Sequence, residues 1–135
     1  MGRVKIITDS AADIPSSIWQ SLQITVLPMV ICFAEEEYRD GVDIQPHEFY
    51  HKMRNSAALP KTAQPLLRDV QEQFQSLTAD GSPVVVIHLS SALSGTYDTS
   101  VTVAEELNNH GADITVNDSR SASFGQGLLV VHAAR

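Results

Sequence analysis

Residues 84–100 read VVVIHLSSALSGTYDTS, and the fold class turns on how this stretch is read. Four apolar residues, 84–87, precede His88 and Leu89. A short β-branched run of this kind suits a strand buried on both faces of a parallel sheet. It ends in Ser90, Ser91, Ser94, Gly95 and Thr96, and a helical pattern follows with Tyr97, Val101, Ala104 and Leu107 on one side. Strand, hydroxyl-rich turn and helix together aim free backbone N–H groups and the positive end of a helix dipole at one place. That chemistry suits an anionic or carbonyl ligand and does not choose between them.

Toward the N-terminus, residues 4–8 read as a first strand, turned by Asp9 and Ser10. Asp13 and Pro15 mark a helix start, since Pro is tolerated in a first turn, and Ile18, Trp19 and Leu22 supply its buried side. Residues 24–34 form one apolar run interrupted by Pro28, which cannot donate to a ladder, so this strand is expected at an edge or bulged. Residues 35–44 are polar, with a hairpin-type turn at Asp40-Gly41. Pro46, Phe49, Tyr50 and Met53 fit a helix from near Gln45, and residues 55–65 read as a loop that holds Thr62. Pro65 opens a helix in which Leu66, Val70, Phe74 and Leu77 repeat at spacings of four, four and three. Beyond the central strand and its helix, residues 114–116 give another strand, closed by Asp118 and Ser119, and a helical pattern runs from Ser123. Strands alternating with helices argue an α/β fold with a mostly parallel sheet.

With 135 residues the chain is one domain large enough for a real core. Its formal charge of −7 disfavours sequence-independent nucleic-acid binding, which needs an electropositive surface. The short acidic run from Glu35 to Glu37 reads as a solvated turn. Cys32, the single cysteine, lies in an apolar run and reads as a core residue rather than a reactive thiol. The N-terminus lacks the apolar core of a signal peptide, and no run reaches transmembrane length. Met1-Gly2 begins like a myristoylation motif, but Ile6 stands where Ser or Thr is needed. These features favour a cytoplasmic, soluble protein.

Five ordered blocks carry a family resemblance. SSALSGTY at 90–97 resembles the SSxLSGTY signature of the DegV family, bacterial proteins that bind a long-chain fatty acid. KIITDSAADIP at 5–15 is similar to that family's opening strand and TDSxADLP turn. EYRDGVDI at 37–44, TAQP at 62–65 (usually TSQP) and DSRSASFGQG at 118–127 resemble three further segments. The resemblance implies a mostly parallel open sheet flanked by helices, as in the family's N-terminal domain. It makes residues 1–135 that N-terminal domain, with a second, C-terminal domain of comparable size absent. Apolar residues up to Ala134 agree, and a bare last helix there would favour self-association.

The resemblance also implies a non-catalytic, lipid-binding role. The protein would hold a long-chain fatty acid such as hexadecanoate and present its carboxylate to a separate fatty acid kinase for phospholipid synthesis. No cofactor beyond that ligand is expected, and peripheral membrane contact is compatible with such a role. Thr62 and Ser94 match the positions whose hydroxyls bond the carboxylate, with Gly95, Thr96, Ser91, Ser10 and Ser119 in support. Ala63 departs from the usual Ser and removes one donor beside the head group. Read without the family, Ser94 is a helix N-cap and Thr62 a plain loop residue.

Other chemistry is weaker. Asp9, Asp13, Asp40, Asp43 and Asp118 sit at strand ends and turns, where Asp bonds locally, and no spacing resembles a calcium loop. Ser91 or Ser94 as a nucleophile lacks a G-x-S-x-G elbow, and His88 in the strand before them reads as structural. His47, His51, His110 and His132 are scattered, and Tyr38, Tyr50 and Tyr97 read as packing residues. The alternative function is a phosphate- or phosphometabolite-binding domain or enzyme half that cradles its ligand in the SSALSGT turn. It lacks a P-loop Lys.

Overall fold

The computed structural model describes residues 2–135, so Met1, and with it the first position of the myristoylation-like start, lies outside the described residues. Strand β1 (Lys5–Asp9) leads through a 3-10 turn (Ser10–Ala12) and helix α1 (Ser16–Ser21) to β2 (Thr25–Leu27). An excursion follows: β3 (Val30–Phe33), β4 (Glu36–Arg39), α2 (Pro46–Asn55) and β5 (Lys61–Ala63). The chain closes with α3 (Leu67–Thr78), β6 (Val84–His88), α4 (Thr96–Asn108), β7 (Ile114–Asp118) and α5 (Ser123–Ala134).

The main sheet is parallel throughout, in the order β2-β1-β6-β7. The run at 84–87 is an interior strand, and its side chains divide between two faces with period two. Val84 and Val86 join Ile7, Leu27, Val70, Phe74, Val103 and Ala104 on the side covered by α3 and α4. Ile87 joins Ile6, Ile24 and Val130 on the other side, where Trp19 of α1 and Leu22 just past its end also pack. The result is the α/β architecture that the alternation of strands and helices implies.

Several local expectations are corrected. The run at 24–34 is two strands in two sheets rather than one interrupted strand. Leu27 pairs with Asp9 at the edge of the parallel sheet, whereas Val30 pairs with Arg39 and Ala63 in a three-stranded antiparallel sheet, β4-β3-β5. Pro28 sits between them, where no ladder N–H is needed. The chain does turn at Asp40-Gly41, with Gly41 at φ +74 and the Asp43 N–H on Arg39 O at 2.9 Å, but this turn joins β4 to α2, and the β-hairpin turn is at Ala34-Glu35, with Ala34 at φ +52. Thr62 is not in a loop: it lies on β5 opposite Ile31.

Helix α3 starts at Leu67 rather than Pro65, leaving Leu66 exposed. In α1, Ile18 is exposed as well. In α4 the buried residues are Thr96, Ser100, Val103 and Ala104, so the inward face is turned from the apolar reading because two hydroxyls have buried partners. Helix α2 begins where expected, with a capping box between Gln45 and Glu48 and Pro46 at its first position. Its Phe49 and Met53 close a small core with Ile31, Phe33 and Ile44.

Candidate functional site

Strand β1 has β2 on one side and β6 on the other, which makes the carboxyl ends of β1 and β6 a topological switch point. Open α/β sheets bind ligands in the crevice there. The first residues past those ends are held by a fully buried polar network. Asp9 Oδ2 accepts from His88 Nδ1 at 2.8 Å and from the Leu89 N–H at 3.0 Å. Asp9 Oδ1 accepts from the Ala11 N–H at 3.0 Å and from Gln126 Nε2 at 3.1 Å. His88 Nε2 meets Ser100 Oγ at 2.7 Å. A carboxylate can only accept, so the ring proton is assigned to Nδ1 and the Ser100 hydroxyl donates to Nε2.

Asp9, His88 and Ser100 thus have the connectivity of a nucleophile triad. All three are completely buried, with Ser100 on the inward face of α4, so a substrate has no path to that hydroxyl. The network instead fixes the turn after β1 against β6, α4 and α5. His88 is structural, as its place in the strand suggests.

The turn held in this way lines a cavity of about 270 Å³. Its walls include Met29, Ile31, Phe49, Tyr50 and Leu89, with Thr62, Ser10, Asp13 and Asp40 as polar members. Thr62 pairs with Ile31 on one edge of β3, while the Asp40 N–H bonds Met29 O at 2.8 Å on the other. With strands about 4.8 Å apart and a rise of about 3.4 Å per residue, the two backbones are on the order of 12 Å apart. The cavity therefore has a hydroxyl end at Thr62, an acidic end at Ser10, Asp13 and Asp40, and apolar walls between.

The expected site residues divide around this space. Thr62 and Ser10 line it. Ser10 Oγ already accepts from the Met29 N–H at 3.0 Å, leaving its proton for Asp40. Ser94, Gly95 and Thr96 do not line the cavity. Thr96 Oγ1 touches Met29 Sδ at 3.7 Å, so Met29 stands between it and the cavity. The segment that follows Thr62 lies against the start of α4: Thr99 Oγ1 donates to Gln64 Oε1 at 3.2 Å, and a Cβ at Gly95 would come within 2.8 Å of the same oxygen.

The cap of α4 falls on Gly95 rather than Ser94, yet Ser94 Oγ accepts from the Thr96 N–H at 3.3 Å and pairs with Thr96 Oγ1 at 2.9 Å. Ser91 and Ser119 are engaged in neighbouring loops. Ser91 Oγ donates to Asp118 Oδ2 at 2.6 Å, which holds the Asp118 carboxyl below its usual range, and Ser119 Oγ donates to Ser121 O at 3.2 Å.

Sequence reasoning missed Met29, Phe49, Leu89 and Gln64 as neighbours of the site, and read Asp40 as a turn residue rather than a lining one. Only Gln64 carried a signal, its place in TAQP. No group of three His, Cys, Asp or Glu side chains comes together for a metal among the described residues. None of the helices among those residues is long and apolar enough to cross a membrane.

Comparison with known proteins extends over the same residues. Residues 3–135 match the family described as "Uncharacterised protein, DegV family". A DegV domain-containing protein of Clostridium perfringens is 38% identical over 135 residues, all of this chain and 48% of the relative. The structure superposes on a stearic acid-binding protein from Eubacterium ventriosum with TM-score 0.92 and 31% identity, covering 98% of this chain and 47% of that one. The fatty acid-binding DegV of Bacillus subtilis gives TM-score 0.90 and 30% identity, covering 97% and 46%. The chain spans about half the length of the curated relatives it matches.

Proposed function

The chain belongs to the DegV family, and on that premise we propose that it is a lipid-binding module that takes a long-chain fatty acid by its carboxylate. The observation that carries the reading is the cavity at the switch point, with apolar walls running from the Thr62 hydroxyl at one end to the Ser10, Asp13 and Asp40 end. Thr62 bonds the carboxylate from within the cavity, and Ser94, Gly95 and Thr96, which lie behind Met29 at the start of α4, reach it with Ser94 Oγ and the helix dipole once that side chain moves aside. Each charge-assisted hydrogen bond contributes about 1.5–3 kcal/mol. The tail supplies more: roughly 0.8 kcal/mol per buried CH₂ gives about 11 kcal/mol gross for about fourteen methylenes. The hydroxyls orient the head, and the apolar walls hold the ligand.

The protein performs no chemistry of its own in this reading. It presents the carboxylate to a separate fatty acid kinase, as the N-terminal domain of a longer DegV-like protein. Self-association runs through the outer face of α5, where Phe124, Leu128 and Leu129 are exposed. The phosphate-binding alternative loses ground because donors of the SSALSGT turn are already engaged: the Ser91 N–H and hydroxyl by the Asp118 carboxylate, and the Thr96 N–H by Ser94 Oγ.

Native mass spectrometry of the chain loaded with hexadecanoate tests the reading. A bound mass that matches the fatty acid is expected in wild type and should be lost or strongly reduced in Thr62→Ala and Ser94→Ala. A wild-type chain that stays empty after loading refutes the reading for this chain.

A further inference from the structure

Asp40 occupies an unusual position for a carboxylate. It lines the apolar cavity and also a second groove of about 690 Å³ on the far side of the turn after β1, bounded by Trp19, Ile24 and Val26. Ser10, Asp13, Asp40 and Pro46 line both spaces and form the partition between them. No Lys, Arg or His lines either space. The nearest cation in sequence, Arg39, is engaged through Nε and Nη2 with Asp43. The other titratable groups facing this region are Asp13 from the turn, Tyr50 from α2 and Asp9 from β1, whose two oxygens are taken by Leu89, His88, Ala11 and Gln126. Asp40 therefore has the Ser10 hydroxyl to stabilise its charge, the neighbouring Asp13 to oppose it, and solvent for the rest.

We propose that Asp40 couples occupancy of the cavity to proton uptake: an acyl chain laid along the apolar walls from Thr62 displaces water from this carboxyl, which takes a proton from solvent rather than remain an uncompensated buried charge. The inference rests on the cavity receiving the acyl chain. Burying a carboxylate beside hydrocarbon favours its neutral form. Burial already holds the Asp40 carboxyl above its usual range, with Asp13 adding to the effect and Ser10 opposing it. Occupancy raises it further, so affinity is greatest below the free protein's value and falls as pH rises toward the occupied one. Asp40 thereby sets the pH range over which the ligand is held. It acts as a specificity-determining residue at the tail end of the cavity, remote from the head group.

The test is equilibrium binding of radiolabelled hexadecanoate to the 135-residue chain between pH 4 and pH 8, for wild type and Asp40→Asn. The ligand's own ionisation is common to both proteins and cancels in the ratio of affinities. Each unit by which occupancy raises the Asp40 value appears as about a tenfold fall in wild-type affinity across the range, relative to the variant. The advantage of the variant over wild type should grow as pH rises across the range. Ser10→Ala, which removes the hydroxyl that favours the charged form, should move the fall to higher pH. Calorimetry of wild type in two buffers of different ionisation enthalpy reads proton uptake directly, even where a variant folds poorly. Parallel pH curves for wild type and Asp40→Asn, or binding heats independent of buffer, overturn the proposal while leaving fatty-acid binding intact. Absence of hexadecanoate binding at every pH removes the underlying function, and the proposal with it.

Discussion

Replacing His88 separates the two halves of the buried network, because asparagine and glutamine each reproduce one ring nitrogen. In His88→Asn the amide nitrogen takes the place of Nδ1 and still donates to Asp9, while Ser100 loses its partner. In His88→Gln the amide oxygen takes the place of Nε2 and still accepts from Ser100, while Asp9 Oδ2 keeps only the Leu89 N–H at 3.0 Å. Removing one hydrogen bond to a buried carboxylate costs about 1.5–3 kcal/mol. Asp9 retains three other donors, from Ala11, Leu89 and Gln126, which places the glutamine variant at about 2 kcal/mol. A stranded hydroxyl costs about 1–3 kcal/mol. Ser100 lies in a helix and can turn its hydroxyl to the carbonyl four residues back, so the asparagine variant should lose about 1 kcal/mol.

Lost ring packing is common to both variants, leaving a difference of about 1 kcal/mol in favour of asparagine. At about 0.05–0.15 kcal/mol per residue the chain has roughly 7–20 kcal/mol in total, so both variants fold and can be compared. Urea unfolding followed by far-ultraviolet circular dichroism gives the two free energies. A glutamine variant as stable as the asparagine one, or more stable, refutes the assignment of Asp9 as the partner that most needs the imidazole.

Gly127→Ala should destabilise the protein by about 1–3 kcal/mol, although alanine ordinarily improves a helix interior by about 1 kcal/mol. A Cβ at that position in α5 would lie 2.5 Å from the Ala12 carbonyl oxygen and 3.3 Å from Ile14 Cγ1, forcing the helix away from the turn that carries Ser10. Thermal melting at or above the wild-type temperature contradicts that packing. Acid should also destabilise the fold. The carboxyls of Glu36, Asp43, Asp80 and Asp118 are held below their usual range by hydrogen bonds from Lys52, Arg39, Lys5 and Ser91, respectively. A depressed folded-state value contributes stability that is present above the unfolded value, about 4, and lost as pH falls through the folded ones. Asp40 has the opposite sign and offsets part of this loss. Melting temperatures should therefore fall between pH 5 and pH 2; a flat profile contradicts these assignments.

The local chemistry of 84–100 was enough to place an interior parallel strand, a hydroxyl-rich turn and a helix, because period, β-branching and turn residues act over a few neighbours. The same holds for the Gln45–Glu48 cap of α2 and for Val70 and Phe74 on the inward face of α3. The five family blocks, read as sequence, already named the DegV family to which the chain belongs. What the sequence left open depends on pairing across long separations. Pro28 marked an interruption, but only the register of Val30 with Arg39 and Ala63 makes it the boundary between two sheets and puts Thr62 on a strand. The inward hydroxyls of α4 run against an apolar reading because their partners, His88 and Met29, come from other elements. Asp40 resembles any turn aspartate until the fold sets it in the partition between two cavities. Local propensity is written into neighbouring residues, whereas burial and partnership exist only once distant segments have met.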